Sequence, residues 1–306
     1  MSAKRIVALL LLAFVSLACT NKNRSVQSAG KIGVLLVSHG SLSETWRRAL
    51  TDLDGRVRGA ILADGRVTDV KSAFMEYTEP SIATRLKEFD QEAFSDVVVV
   101  PIFLTVSPHP FDDIPTIMGQ KTDPQSLETI KVEGIERYTP RAKVHVAPLL
   151  DFTDLLRKNV LRRVKSLSTA PEKEGLVLIA YGDGTYEKEW AGLLDGVAGY
   201  VQKETGIGVH SRAWCGHVVH YDPGRTTAAI ESVLASRDKA LVIPVLVAHD
   251  ERFQIKLIGN GIARVAGKER VVYKPDAILP DESLDRWVED AVRAEVAKIA
   301  GSSPSQ

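Results

Sequence analysis

Two runs of the chain are almost free of polar residues: Ile32-Gly33-Val34-Leu35-Leu36-Val37 and Val97-Val98-Val99-Val100-Pro101-Ile102-Phe103-Leu104. Strands this uniformly apolar need cover on both faces, which is the situation of a parallel sheet with helices on each side. From residue 31 onward, β-rich runs alternate with longer helical patterns, as in successive βαβ units. Strands are predicted over residues 31–38, 67–74, 96–104, 143–148, 175–181, 207–214, 239–247 and 270–274. Amphipathic segments at 44–57 and 81–89 predict helices between them, and a last helix is expected over 282–299.

The eight strands fall into two similar quartets. Gly40 and Gly182 follow the first strand of each, Pro80 and Pro223 open a helix after the second, and Pro101 and Pro244 interrupt the third. These pairs lie about 142, 143 and 143 positions apart, a near-constant offset that reads as internal duplication. Residues 166–173, with Pro171 and several polar side chains, form the natural linker. The expected fold is α/β: two similar lobes over residues 31–165 and 174–300, each a four-stranded parallel sheet flanked by helices, with a cleft between.

The N-terminus reads as a targeting segment. Lys4 and Arg5 precede an apolar stretch over residues 6–17, too short for a mature membrane-spanning helix. Ser16-Leu17-Ala18 then precedes Cys19, the arrangement of bacterial lipoproteins in which that cysteine is acylated; simple secretion with an unmodified Cys19 is the other reading. Residues 1–18 would be the signal peptide and the polar stretch 19–30 a tether. Either way the mature protein faces an oxidising compartment, exported and periplasmic, with Cys19 as its membrane anchor if lipidated. Cys215 then has no cysteine partner and reads as a buried thiol. Basic and acidic residues balance at 39 each, so no charge excess argues for a nucleic-acid partner. Gly182-Asp183-Gly184 lacks the third glycine of a dinucleotide loop, no phosphate loop is present, and Ser41 and Ser43 sit in no Gly-x-Ser-x-Gly elbow. A nucleotide cofactor is not expected.

Ligands of parallel sheets bind beyond the carboxyl ends of the strands. His39 stands at the tip of the first strand, Glu76 just past the second, and His109 after the third. Singly, each has a plainer reading as a surface or helix-capping residue. Together, two imidazoles and a carboxylate suit a borderline divalent ion: Co²⁺, Fe²⁺, Ni²⁺ or Zn²⁺.

The same residues resemble a known family. Val37-Ser38-His39-Gly40-Ser41, Phe74-Met75-Glu76, Glu79-Pro80-Ser81, and Pro101-Ile102-Phe103-Leu104 followed by His109 and Asp113-Ile114-Pro115 are similar to the class II tetrapyrrole chelatases, including the sirohydrochlorin cobaltochelatases and ferrochelatases. The resemblance is good over residues 31–150 and weaker over 175–299. It implies two similar lobes and insertion of Co²⁺ or Fe²⁺ into a tetrapyrrole. The metal is then substrate, held by His39 and His109 with Glu76 beside them, and these three also carry the catalysis. Proton removal would be shared between His39 and Glu76. Asp113 would orient His109. Backbone N–H groups at Gly40-Ser41, read as the opening of a helix, would hold a substrate carboxylate.

The second half departs from the pattern. Tyr181 stands for the first histidine, Gly216 near the position of Glu76, and the third strand tip reads Ala248-His249-Asp250-Glu251-Arg252. His249 is expected on the cleft wall and Arg252 on substrate carboxylates. His217 and His220, spaced His-x-x-His, suit either a metal or the cleft lining. His145 and His210 read as structural. The export signal sits awkwardly with tetrapyrrole synthesis inside a cell. It motivates an alternative: an exported metal- or haem-binding protein with the chelatase fold and no insertion activity.

Overall fold

The computed structural model describes residues 30–150 and 152–301; the expected signal peptide, the tether and Cys19 lie outside them. In the first half, strands β1 (Ile32–Ser38), β2 (Val67–Phe74), β3 (Asp96–Pro101) and β4 (Lys143–Val146) alternate with helices α1 (Glu44–Leu62), α2 (Ile82–Gln91), α3 (Ile114–Ile117) and α4 (Pro124–Glu133). After α5 (Phe152–Leu167), the second half runs β5 (Glu174–Ala180), α6 (Glu187–Thr205), β6 (His210–Trp214), α7 (Pro223–Leu234), β7 (Lys239–Val245), α8 (Gly259–Ala263), β8 (Val271–Tyr273) and α9 (Glu282–Gly301). The two sheets have the same order, β2-β1-β3-β4 and β6-β5-β7-β8, and every pairing is parallel.

The α/β expectation of two four-stranded parallel lobes therefore holds, and every predicted strand is present: β2 has its predicted bounds, β5 is shifted one residue earlier, and the others have shorter ends. β3 stops at Pro101 rather than 104: Ile102 still donates to the Val37 carbonyl at 2.7 Å, and the chain then leaves the sheet. All seven residues of β1 and of β5 are buried, as their composition requires.

Packing explains how the lobes hold together. α1 buries Leu50, Leu53, Val57 and Ile61, a stripe at helical spacing, and meets β2. Val34 and Leu36 of β1 share one continuous core with Leu176 and Leu178 of β5, through α1, α5, α6 and α9. The opposite face of the first sheet is covered by α2 and α3, around Phe89, Ile114 and Ile117. The opposite face of the second is covered by α7, around Ile230 and Val233.

The terminal helices are exchanged. The sequence division at 166–173 assigns α5 to the first lobe and α9 to the second. In space α5 packs on α6 and β7, where Arg163 donates to the Pro244 carbonyl at 2.8 Å. α9 packs on α1 and β3, with the Arg56 guanidinium on the Asp285 carboxylate at 2.7 Å.

Candidate metal centre and cleft

The first sheet reverses its strand order between β1 and β3, and crevices form at such points beyond the strand carboxyl ends. Parallel register levels the tips: Val37 pairs with Ala73 on one side and Pro101 on the other. The backbone then ties the next residues together, Met75 N–H donating to the Ser38 carbonyl at 2.8 Å and Glu76 N–H to the His39 carbonyl at 3.0 Å. Gly40 makes this crossing possible: its φ is 104°, and a Cβ there would lie 2.0 Å from the Glu76 carbonyl oxygen.

His39, Glu76 and His109 converge, each offering a ligand atom within 4.8 Å of the others. The imidazoles meet edge to face with centroids 4.8 Å apart. Glu76 is only 9 % exposed, and its Oε1 lies 2.8 Å from His39 Nε2. His39 Nδ1 lies 3.1 Å from the Gly40 carbonyl. Burial works to lower the His39 pKa, but the bond and charge of Glu76, aided by the Gly40 carbonyl, outweigh it and hold the pKa above its ordinary value. Acceptors at both nitrogens favour the protonated ring.

His109 opens a π-helical turn, His109–Asp113, in which Ile114 N–H donates to the His109 carbonyl. That winding puts Asp113 Oδ2 2.7 Å from His109 Nδ1, leaving Nε2 to face the cluster. Burial would raise the Asp113 pKa, but His109, with Ser126, holds it below the usual carboxylate range. Asp113 is thus in contact with His109, the residue it is expected to orient.

The cluster opens onto a cleft of about 430 Å³ lined by both lobes. Gly40 and Ser41 line it, but they lie ahead of α1, which begins at Glu44 as predicted with Ser43 as the N-cap accepting from Trp46 N–H, so the Gly40-Ser41 N–H groups do not open the helix. Acids of the chain itself meet this entry to the helix. Ser41 Oγ donates to Asp250 at 2.6 Å, while Ser43 and Thr45 donate to Glu251 at 2.7 and 2.6 Å. The bonds from Thr45 and Ser43 pull the Glu251 pKa down to about 2.

In the second lobe, Cys215 and Gly216 N–H donate to the Ala180 and Tyr181 carbonyls, repeating the crossing at Met75 and Glu76. Tyr181 thus stands where His39 stands, Gly216 where Glu76 stands, and His217 where Tyr77 stands. Arg252 lines the cleft, its guanidinium 4.1 Å from the Tyr221 ring centre. His249 does not: its Nδ1 is bonded to the Pro275 carbonyl at 2.8 Å, which corrects its expected place on the cleft wall. Of the His-x-x-His pair, His217 lines the cleft and His220 does not, and the two form no metal cluster among the described residues. His145 pairs with Asp96 at 2.8 Å and His210 with Asp195 at 3.3 Å, both away from the cleft. Cys215 is buried and free, and burial pushes its pKa up to about 12. Sequence reasoning missed the bridges from Ser43 and Thr45 to Glu251; the Ser43 N-cap was the one available signal.

A family model described as CbiX matches residues 33–167. A sirohydrochlorin cobaltochelatase of Methanococcoides burtonii is 32 % identical over 107 residues, covering 35 % of this chain and 77 % of the relative. One of Methanosarcina barkeri is 26 % identical over 104 residues, 34 % of this chain and 75 % of the relative. Among solved structures, the sirohydrochlorin chelatase SirB from Bacillus subtilis in complex with cobalt is similar over 89 % of this chain and 98 % of that one, with a TM-score of 0.62 and 17 % identity. A multi-domain protein from Deinococcus radiodurans with structural similarity to chelatases gives a TM-score of 0.54 at 16 % identity, over 88 % of this chain and 55 % of that one.

Proposed function

Because the chain belongs to the class II tetrapyrrole chelatase family, we propose that it inserts a divalent metal ion, Co²⁺ or Fe²⁺, into a sirohydrochlorin-like tetrapyrrole. The observation that carries this reading is the convergence of His39, Glu76 and His109 at the mouth of a cleft sized for a small organic molecule. A flat apolar macrocycle suits the walls, where Leu42, Tyr77, Phe103 and Tyr181 present apolar surface. Arg252 and Lys256 line the same cleft as cations for peripheral carboxylates.

His39 and His109 hold the incoming metal with Glu76. Loading displaces the proton that His39 Nε2 shares with Glu76, since one lone pair cannot serve both. Asp113 fixes the His109 tautomer so that Nε2 presents its lone pair. As the metal passes to the pyrrole nitrogens, the vacated His39–Glu76 pair regains its capacity to accept a proton.

Purified protein mixed with Co²⁺ or Fe²⁺ and sirohydrochlorin tests this. The metallated product should accumulate catalytically, seen by absorbance. The apolar stretch at 6–17 followed by Cys19 supports export and a lipid anchor at Cys19, and favours a second reading: an exported metal- or haem-binding protein without turnover. Metal binding with no insertion would select it. A folded protein that binds neither metal nor haem would sink both.

A further inference from the structure

The two lobes face the cleft with the same pair of rings, with the identities exchanged. In the first lobe the residue after β1 is His39 and the residue after Glu76 is Tyr77, with ring centres 5.9 Å apart. In the second lobe the residue after β5 is Tyr181 and the residue after Gly216 is His217, with ring centres 5.5 Å apart. All four line the cleft. Gly216 leaves the second lobe without a carboxylate at the position of Glu76, so that lobe keeps an imidazole but no ligand cluster.

His217 Nδ1 lies 3.1 Å from the Tyr181 hydroxyl. With the proton on Nδ1, the ring donates to Tyr181 and its Nε2 lone pair is unengaged. Tyr181 is held in turn edge-to-face against Phe253 at 5.6 Å. A macrocycle held between the lobes would meet the metal ligands from the first lobe and a positioned imidazole from the second.

We propose that His217 accepts a pyrrole proton on the face of the tetrapyrrole opposite the metal. The inference rests on the insertion reading above. Insertion requires two N–H bonds to break, each electron pair remaining on nitrogen to bind the metal. One proton joins His217 Nε2, giving an imidazolium. The other goes to the His39–Glu76 pair as the metal leaves it. Both then pass to solvent, so charge and protons balance without any redox partner.

The surroundings suit an acceptor. Partial burial lowers the His217 pKa against the opposing charge of Asp183, and this favours the neutral ring. Tyr181, pressed by burial and by Tyr221, stays a neutral phenol.

The test uses the full chain and two variants, His217→Ala and Tyr181→Phe, with Co²⁺ alone as binding probe and Co²⁺ plus sirohydrochlorin for turnover. His217→Ala should keep Co²⁺ affinity within about twofold and lose roughly 100-fold in kcat, the scale of a general base. Tyr181→Phe, which removes the bond that positions His217, should lower kcat by about tenfold and shift its pH dependence, which a packing role would not do. Turnover by His217→Ala within about threefold of the parent would overturn the proposal, as would a loss of Co²⁺ affinity matching the loss of rate. A parent protein that inserts no metal would sink the insertion reading itself, and this one with it.

Discussion

Asp113 grips His109 from within its own π-helical turn, Oδ2 to Nδ1 at 2.7 Å, a contact the extra residue of that winding helps to set. Carboxylates behind metal-binding histidines fix tautomer and ring angle, and their removal costs about 10- to 100-fold in affinity or activity. Asp113→Asn should therefore weaken Co²⁺ binding by that margin, read by metal titration, with little change in unfolding temperature.

His39→Ala and His109→Ala each remove a donor from the cluster. Each should lower insertion by more than about 100-fold, beyond what loss of a supporting partner costs, while far-ultraviolet circular dichroism stays native. His145→Ala should leave insertion unchanged, because that ring pairs with Asp96 away from the cleft. Normal rates in both His39 and His109 variants would refute the assignment.

The pH dependence of metal loading follows from His39. Its folded-state pKa is raised, so the proton on Nε2 persists above the ordinary imidazole value of about 6.5. Metal competes with that proton, so Co²⁺ affinity should climb with pH through a midpoint above 6.5. For the metal-free fold the sign reverses: the His39–Glu76 pair contributes full stability below about 6.5 and loses it as pH rises through the raised value. Glu76→Gln removes the charge that opposes burial, so the midpoint of Co²⁺ binding should move down. Isothermal titration across pH 5–9 reads both.

Glu251 ties the lobes through Ser43 and Thr45. Its folded pKa of about 2 lies below the unfolded carboxylate value, so this contribution is present above about pH 4.5 and fades as pH falls toward 2. The group is exposed and solvent-screened, so Glu251→Ala should cost only about 1 kcal/mol or less. Thermal unfolding at pH 7 should show a small loss, and at pH 2 the variant and parent should converge.

Leu284 of α9 is fully buried, yet the partners of that helix are α1 and β3 of the other lobe. Leu284→Ala should cost about 2–5 kcal/mol. Hydrogen exchange should report faster opening of α1 and β3 before β7 or β8.

The strand and lobe count and the His39–Glu76–His109 cluster were legible because uniform apolar runs declare double-sided burial, and parallel strands bring their tips level; the strand order was not. The helix exchange was not, since the apolar stripe of α5 or α9 states that one face is covered but not by which sheet. His249 misled for a related reason: a strand-tip position gives location, but the Pro275 carbonyl decides where its ring points. α1 starts at Glu44 as its pattern predicts, but Ser43 takes the cap, so the Gly40-Ser41 turn lies ahead of the helix and not at its opening. Sequence distance hid the Asp250 and Glu251 bridges, which join residues more than 200 positions apart.

The traded helices make the molecule a clasp rather than two beads on a string. Cutting the segment at 168–173 would give two pieces, each carrying the other's missing wall, so they would need to embrace to fold. Two identical single-lobe chains, each lending its last helix to its twin, would look the same from outside. Joining such twins end to end would take only those few linking residues.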